Sequence, residues 1–86
     1  MEDLSVCLPV KDENHETIRA LSDGLKSLGA EVIVVDDGSS NPYPDAIKHG
    51  VCQGYGSALM TGIKNATRPL ILTADRDWET DRKSVV

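Results

Sequence analysis

Three short, nearly unbroken aliphatic runs constrain this chain more than anything else in it: Leu4 to Val10, Val32 to Val35 and Leu70 to Ala74. Runs that are apolar at consecutive rather than alternate positions suit strands covered on both faces, so the pattern predicts a parallel sheet between helices. Val32-Ile33-Val34-Val35, four β-branched residues in a row, is the clearest case. Pro9 has no N–H for a ladder and is expected to mark the end of regular pairing in the first run. Between the first two runs, Ile18, Leu21, Leu25 and Leu28 recur at helical steps. Asn14 suits the N-cap, Glu16 the first turn, Lys26 the last turn and Gly29 the position after the C-cap, which predicts a helix over 14–28. Strand, helix and strand then form a βαβ unit with an expected right-handed crossover.

Residues 41–53 are less regular. Asn41-Pro42 and Tyr43-Pro44 are turn signals, and one short strand fits between Ala46 and Val51. A second full helix does not fit before Gly54. Gly54-Tyr55-Gly56-Ser57 opens the next helix, whose face of Ala58, Leu59, Gly62, Ile63 and Ala66 is small enough to lie close to the sheet. Arg68-Pro69 ends it. The expected fold class is therefore α/β: a Rossmann-like, mainly parallel sheet of three or four strands. Strands are expected near 4–10, 31–36 and 70–74, with the first strand between the other two.

With 86 residues, the chain supports one small domain. Nine basic against fourteen acidic residues leave a net charge of −5, which argues against nucleic acid as a partner. Aromatic residues are 3% and Phe is absent, so the core must be aliphatic and aromatic base-stacking platforms are not expected. No apolar run approaches the roughly 20 residues of a membrane span. The acidic start, Met1-Glu2-Asp3, is no secretory signal. Cys7 and Cys52 make neither a disulfide framework nor a CxxC metal pattern, so a reduced, cytoplasmic chain is the default and Cys7 reads as a small buried hydrophobe.

The chemistry gathers by position. Asp12-Glu13, Asp36-Asp37 and Asp75 with Asp77 each lie just past the C-terminal end of an expected strand. In an open parallel sheet these ends share one edge, where ligands bind, so the three clusters are expected to converge on a site. Asp75 and Asp77, at i and i+2 on leaving a strand, point the same way and suit a hard cation, Mg²⁺ or Mn²⁺. Gly54-x-Gly56 is only part of a dinucleotide fingerprint, since Leu59 stands at the third glycine position. His15 and His49 are expected to be solvated, with no nucleophile beside either.

These residues resemble a known family. Val6-Cys7-Leu8-Pro9-Val10-Lys11-Asp12-Glu13 is similar to the opening of family 2 glycosyltransferases, and Val34-Val35-Asp36-Asp37-Gly38-Ser39-Ser40 to their VVDDGS motif. Gly54 to Leu59 with Gly62-Ile63 resembles the Gly-rich helix start of the dolichyl- and polyprenyl-phosphate sugar transferase branch. Leu72-Thr73-Ala74-Asp75-Arg76-Asp77 resembles the DxD motif. The resemblance covers residues 4–77 and implies the N-terminal, nucleotide-binding part of a GT-A domain. It implies a nucleotide-diphosphate sugar as donor, Mg²⁺ or Mn²⁺ as cofactor, and a polyprenyl phosphate as acceptor. Carried over, Pro9, Lys11 and Glu13 line the nucleoside, Asp37 contacts base or ribose, Asp75 and Asp77 lie at the diphosphate, and Val35 and Arg76 are further implied nucleotide-binding residues. Asp75 and Asp77 are the implied metal ligands. Asp12 and Lys11 depart from the usual Asn and Tyr, and Arg76 and Trp78 from smaller residues. The implied catalytic base lies beyond residue 86 and is not assigned, so the chain alone is expected to be inactive.

A phosphoacceptor receiver domain of signalling proteins, with an acidic Mg-binding pocket, is the competing reading. Val35-Asp36-Asp37 and the later Asp75 fit it superficially. Against it, a strand and a helix precede Asp36-Asp37, where a receiver opens with that strand. Residues 1–80 are read as the partial domain. Asp81-Arg82-Lys83-Ser84-Val85-Val86 is expected to be a non-native tail, since it matches one reading frame of a common sequencing adapter.

Overall fold

A computed structural model describes residues 2–73. Four strands, β1 (Leu4–Val10), β2 (Glu31–Asp37), β3 (Ile47–His49) and β4 (Leu70–Thr73), form one all-parallel sheet in the order β3-β2-β1-β4. β1 lies between β2 and β4, as expected. The chain winds from β1 through β2 to β3 on one side, then returns across β1 to β4. That reversal requires the connecting helices to lie on opposite faces, and they do.

Helix α1 (His15–Ser27) begins where its sequence directs. The Asn14 side chain accepts hydrogen bonds from the amides of Glu16 at 2.8 Å and Thr17 at 3.1 Å. It ends in a paired closure: Gly29 N–H donates to the Lys26 carbonyl and Ala30 N–H to the Leu25 carbonyl, with Gly29 at φ +90°. Only a residue without a Cβ takes that left-handed turn at no steric cost. Ile18 is the buried anchor of α1, packed with Val6, Leu8, Val10, Val34 and Tyr43.

Alternation along the strands sends Cys7, Ile33 and Val35 to the other face, where they meet Ala58 of helix α2 (Tyr55–Asn65). The approach is tightest at Gly62, where an added Cβ would stand 3.0 Å from the Cys7 Cβ. The small-residue face therefore does what its composition suggests, although Ile63 at its margin is 37% exposed. Cys7 is buried, and burial first, then the Glu31 charge, pushes its thiol pKa up, which keeps it protonated.

The N-terminal edge of the sheet is closed by Glu31. Its carboxylate accepts from Ser5 Oγ, from Thr67 N–H at 2.9 Å and from Thr67 Oγ1 at 2.9 Å. Arg68 adds donors to the Glu2 and Gly29 carbonyls. This clasp turns the chain from α2 into β4. On β4 itself Leu70, Ile71 and Leu72 remain exposed. No helix among the described residues is long and apolar enough to cross a membrane.

Candidate functional site

Because the sheet is parallel, β1, β2 and β3 all deliver their C-terminal ends to one edge. The loop after β1 and the loop after β2 are clasped together there. Asp12 N–H donates to Ser39 Oγ at 2.7 Å, and Asp12 Oδ1 accepts from Ser40 N–H at 2.9 Å. His15 Nε2 donates to the Asn41 carbonyl at 2.8 Å, and its ring stands edge-on to Tyr43 with centroids 5.4 Å apart. Asp12 has φ +54°, a left-handed conformation that Asp and Asn tolerate better than other side-chain-bearing residues. The two bonds to Ser39 and Ser40 hold it there. Between the loops lies an open concavity lined by Asp12, Glu13, Asn14, His15, Ser40 and Asn41.

Asp36 and Asp37 end β2 on opposite faces, as neighbours on a strand must. Asp36 is on the α1 face. Its two oxygens accept from the amides of Ser39 at 2.9 Å and Tyr43 at 3.0 Å, so it fastens the loop after β2. Asp37 is on the α2 face, only 3% exposed. Its Oδ1 accepts from His49 Nδ1 at 2.7 Å and from Gln53 N–H at 2.8 Å. Its Oδ2 accepts from Gly54 N–H at 2.8 Å and from the Cys52 thiol at 3.3 Å. Burial alone would raise the Asp37 pKa. The Gln53 amide, His49, Cys52 and the Gly54 amide outweigh it and bring the pKa down to about 2. The charge also sits at the N-terminus of α2, whose N-cap Gly54 has no side chain to cap the helix itself.

The Asp37 carboxylate is therefore an ionised acceptor filled by protein donors. A carboxylate offers about four lone-pair sites, and Asp37 uses four. Asp37 has none left for a cation, and among the described residues no group of three or more His, Cys, Asp or Glu is placed to hold a metal. The third expected cluster, Asp75 with Asp77, lies outside the described residues. Asp12, Asp36 and Asp37 share the edge, but each carboxylate is tied to a different set of backbone donors rather than to a common pocket.

The other expected site residues fall into three groups. Lys11 and Glu13 are half-buried at the concave edge, with Lys11 Nζ 3.6 Å from Asp12 Oδ2, a weak surface pair. Pro9 and Val35 are fully buried in the sheet, so their side chains are core. Asp75, Arg76 and Asp77, and with them the DxD motif and the expected metal ligands, lie outside the described residues. So does the expected tail, 81–86.

The expectation of a solvated ring is corrected for His49, while His15 stays partly exposed and still bonds the Asn41 carbonyl. His15 ties two loops, and the His49 side chain is 10% exposed between Asp37 and α2. The signal that would have found His49 was register. Pairing β3 in parallel with β2 places His49 directly opposite Asp37, and a short strand of uncertain frame hides that. Gln53 and Gly54 were missed because they contribute only backbone amides. Gly38 explains the close fit of this loop: at φ +81°, an added Cβ would stand 2.5 Å from the Cys52 nitrogen.

The family model described as Glycosyl transferase family 2 matches residues 5–85. No curated protein and no solved structure matches the chain. A receiver-type acid pocket, the competing reading, would need an accessible aspartate at the end of β2, where both are buried and hydrogen-bonded.

Proposed function

Since the chain belongs to glycosyl transferase family 2, we propose that its sheet edge is the donor-binding half of a glycosyltransferase that accepts a nucleotide-diphosphate sugar. The observation that carries this reading is the loop clasp at that edge. Asp12, Ser39 and Ser40 join the loops after β1 and β2 into one concave wall, with Lys11 and Glu13 beside it. In a parallel sheet this is where a nucleotide is received.

The diphosphate is anionic and this edge is acidic, so a divalent cation must intervene for the two to meet. Asp75 and Asp77 are the residues proposed to hold Mg²⁺ or Mn²⁺. The cation would draw off charge from the leaving diphosphate. The nucleoside would lie along Pro9, Lys11, Glu13 and Val35, with Asp37 behind it, and Arg76 beside the phosphates. A polyprenyl phosphate is the proposed acceptor, from the Gly54 to Gly62 segment. Asp36 and Asp37 are spent on internal donors and do not serve as a base towards an acceptor. Donor binding without turnover is the expected behaviour of residues 1–86.

Calorimetry with UDP and GDP tests this. Binding is expected with Mg²⁺ or Mn²⁺ and is expected to fall at least about tenfold with EDTA or in Asp77→Ala, the scale of losing one charge-assisted contact. Affinity unchanged by EDTA and by Asp77→Ala would remove the metal from the reading.

A further inference from the structure

His49 makes two contacts at once. Its Nδ1 meets Asp37 Oδ1 at 2.7 Å, and its Nε2 meets Thr61 Oγ1 at 2.9 Å. Asp37 is ionised and can only accept, so Nδ1 carries the proton. In the neutral ring Nε2 then has a lone pair, which accepts the Thr61 hydroxyl proton. A neutral imidazole in water prefers the opposite tautomer, so this one is selected by its surroundings.

The contacts close a ring of structure. From Asp37, one path runs through the amides of Gln53 and Gly54 into the start of α2. The other runs through His49 to Thr61, two turns into the same helix. Strand β2, strand β3 and helix α2 are thus joined at one carboxylate. The amide path reaches the start of α2 and the His49 path reaches Thr61 further along it. The His49 path supplies the second fixed point.

We propose that His49, held as the Nδ1–H tautomer, is a positioning residue. It fixes the Asp37 carboxylate at the donor edge and couples it to α2 through Thr61. This rests on the donor-binding reading for its functional consequence; the tautomer follows from the contacts of His49 with the donor-filled Asp37 carboxylate and Thr61.

Two measurements on the 86-residue chain decide it. The first is long-range ¹⁵N–¹H correlation of the His49 ring at about pH 8. A protonated Nδ1 and an unprotonated Nε2 are expected; an Nε2–H ring, or a mixture of the two tautomers, overturns the proposal. The second is UDP and GDP binding with Mg²⁺. His49→Ala is expected to weaken binding about tenfold, and His49→Asn, whose amide nitrogen can replace the Nδ1 donor, to recover most of it. Thr61→Val keeps the side-chain shape and cuts only the outer contact. It is expected to stay folded and to weaken binding about threefold. It is also the deciding variant if His49→Ala does not fold. Wild-type affinity in folded His49→Ala, or in Thr61→Val where His49→Ala does not fold, overturns the positioning role. A wild-type chain that binds neither nucleotide contradicts the donor-binding reading instead, and the ring tautomer then decides this proposal by itself.

Discussion

Asp37→Ala is expected to lose about 3–5 kcal/mol of folding stability, enough to unfold most of a domain this small. The substitution removes one carboxylate but strands several groups. Gln53 N–H, Gly54 N–H and His49 Nδ1–H lose their acceptor in a place where water has little access. Each buried donor left unpaired costs about 1–3 kcal/mol, and the uncapped start of α2 adds to it. Urea unfolding followed by circular dichroism reads the loss. The same carboxylate sets an acid limit. Its pKa is about 2 in the folded chain against an ordinary 3.8, so the unfolded chain takes up this proton first as pH falls. The stabilisation is complete above about pH 4 and is lost on acidification towards pH 2, to the extent of about 2 kcal/mol. Asp37→Ala should show no such loss over that interval. An alanine variant as stable as the parent would mean that the four contacts are not formed in solution.

Gly38→Ala is the second large effect, expected at about 2–4 kcal/mol destabilising from left-handed strain and overpacking together. The backbone there is at φ +81°, and the new methyl would lie 2.5 Å from the Cys52 nitrogen and 2.9 Å from the Val51 carbonyl carbon. These are backbone atoms of a loop already bound to Asp37, so they cannot simply rotate away. The two sites share that loop, so the double variant Asp37→Ala, Gly38→Ala should lose less than the sum of the two losses. Thermal unfolding measures both. Full additivity would show that the 51–54 loop is not held jointly by Asp37 and Gly38.

The strands and helices of this fold were legible because each had its own local signal. Consecutive β-branched residues marked β2, the spacing of Ile18, Leu21 and Leu25 marked α1, and Gly29 marked its end. Even the place of β1 between β2 and β4 followed from the need for a reversal beside the site. The placement of Asp12, Asp36 and Asp37 at one sheet edge was legible, and their wiring was not. Asp36 and Asp37 read as a pair, yet strand alternation sends one to each face, where they serve different loops. His49 read as a surface residue because nothing in three-residue β3 states its register. Its role appears only when β3 is laid beside β2. Backbone donors such as Gln53 N–H and Gly54 N–H carry no residue signature at all.

The central claim is that the edge formed by the ends of β1 and β2 receives the nucleotide. Amide chemical-shift mapping tests it most directly, by titrating ¹⁵N-labelled chain with UDP or GDP in the presence of Mg²⁺. Saturable shifts are expected at residues 10–13, 36–40 and 52–54, with Glu31, Thr67 and Arg68 at the opposite edge unmoved. Shifts centred on Glu31 and Arg68, or spread evenly over both edges, would contradict it.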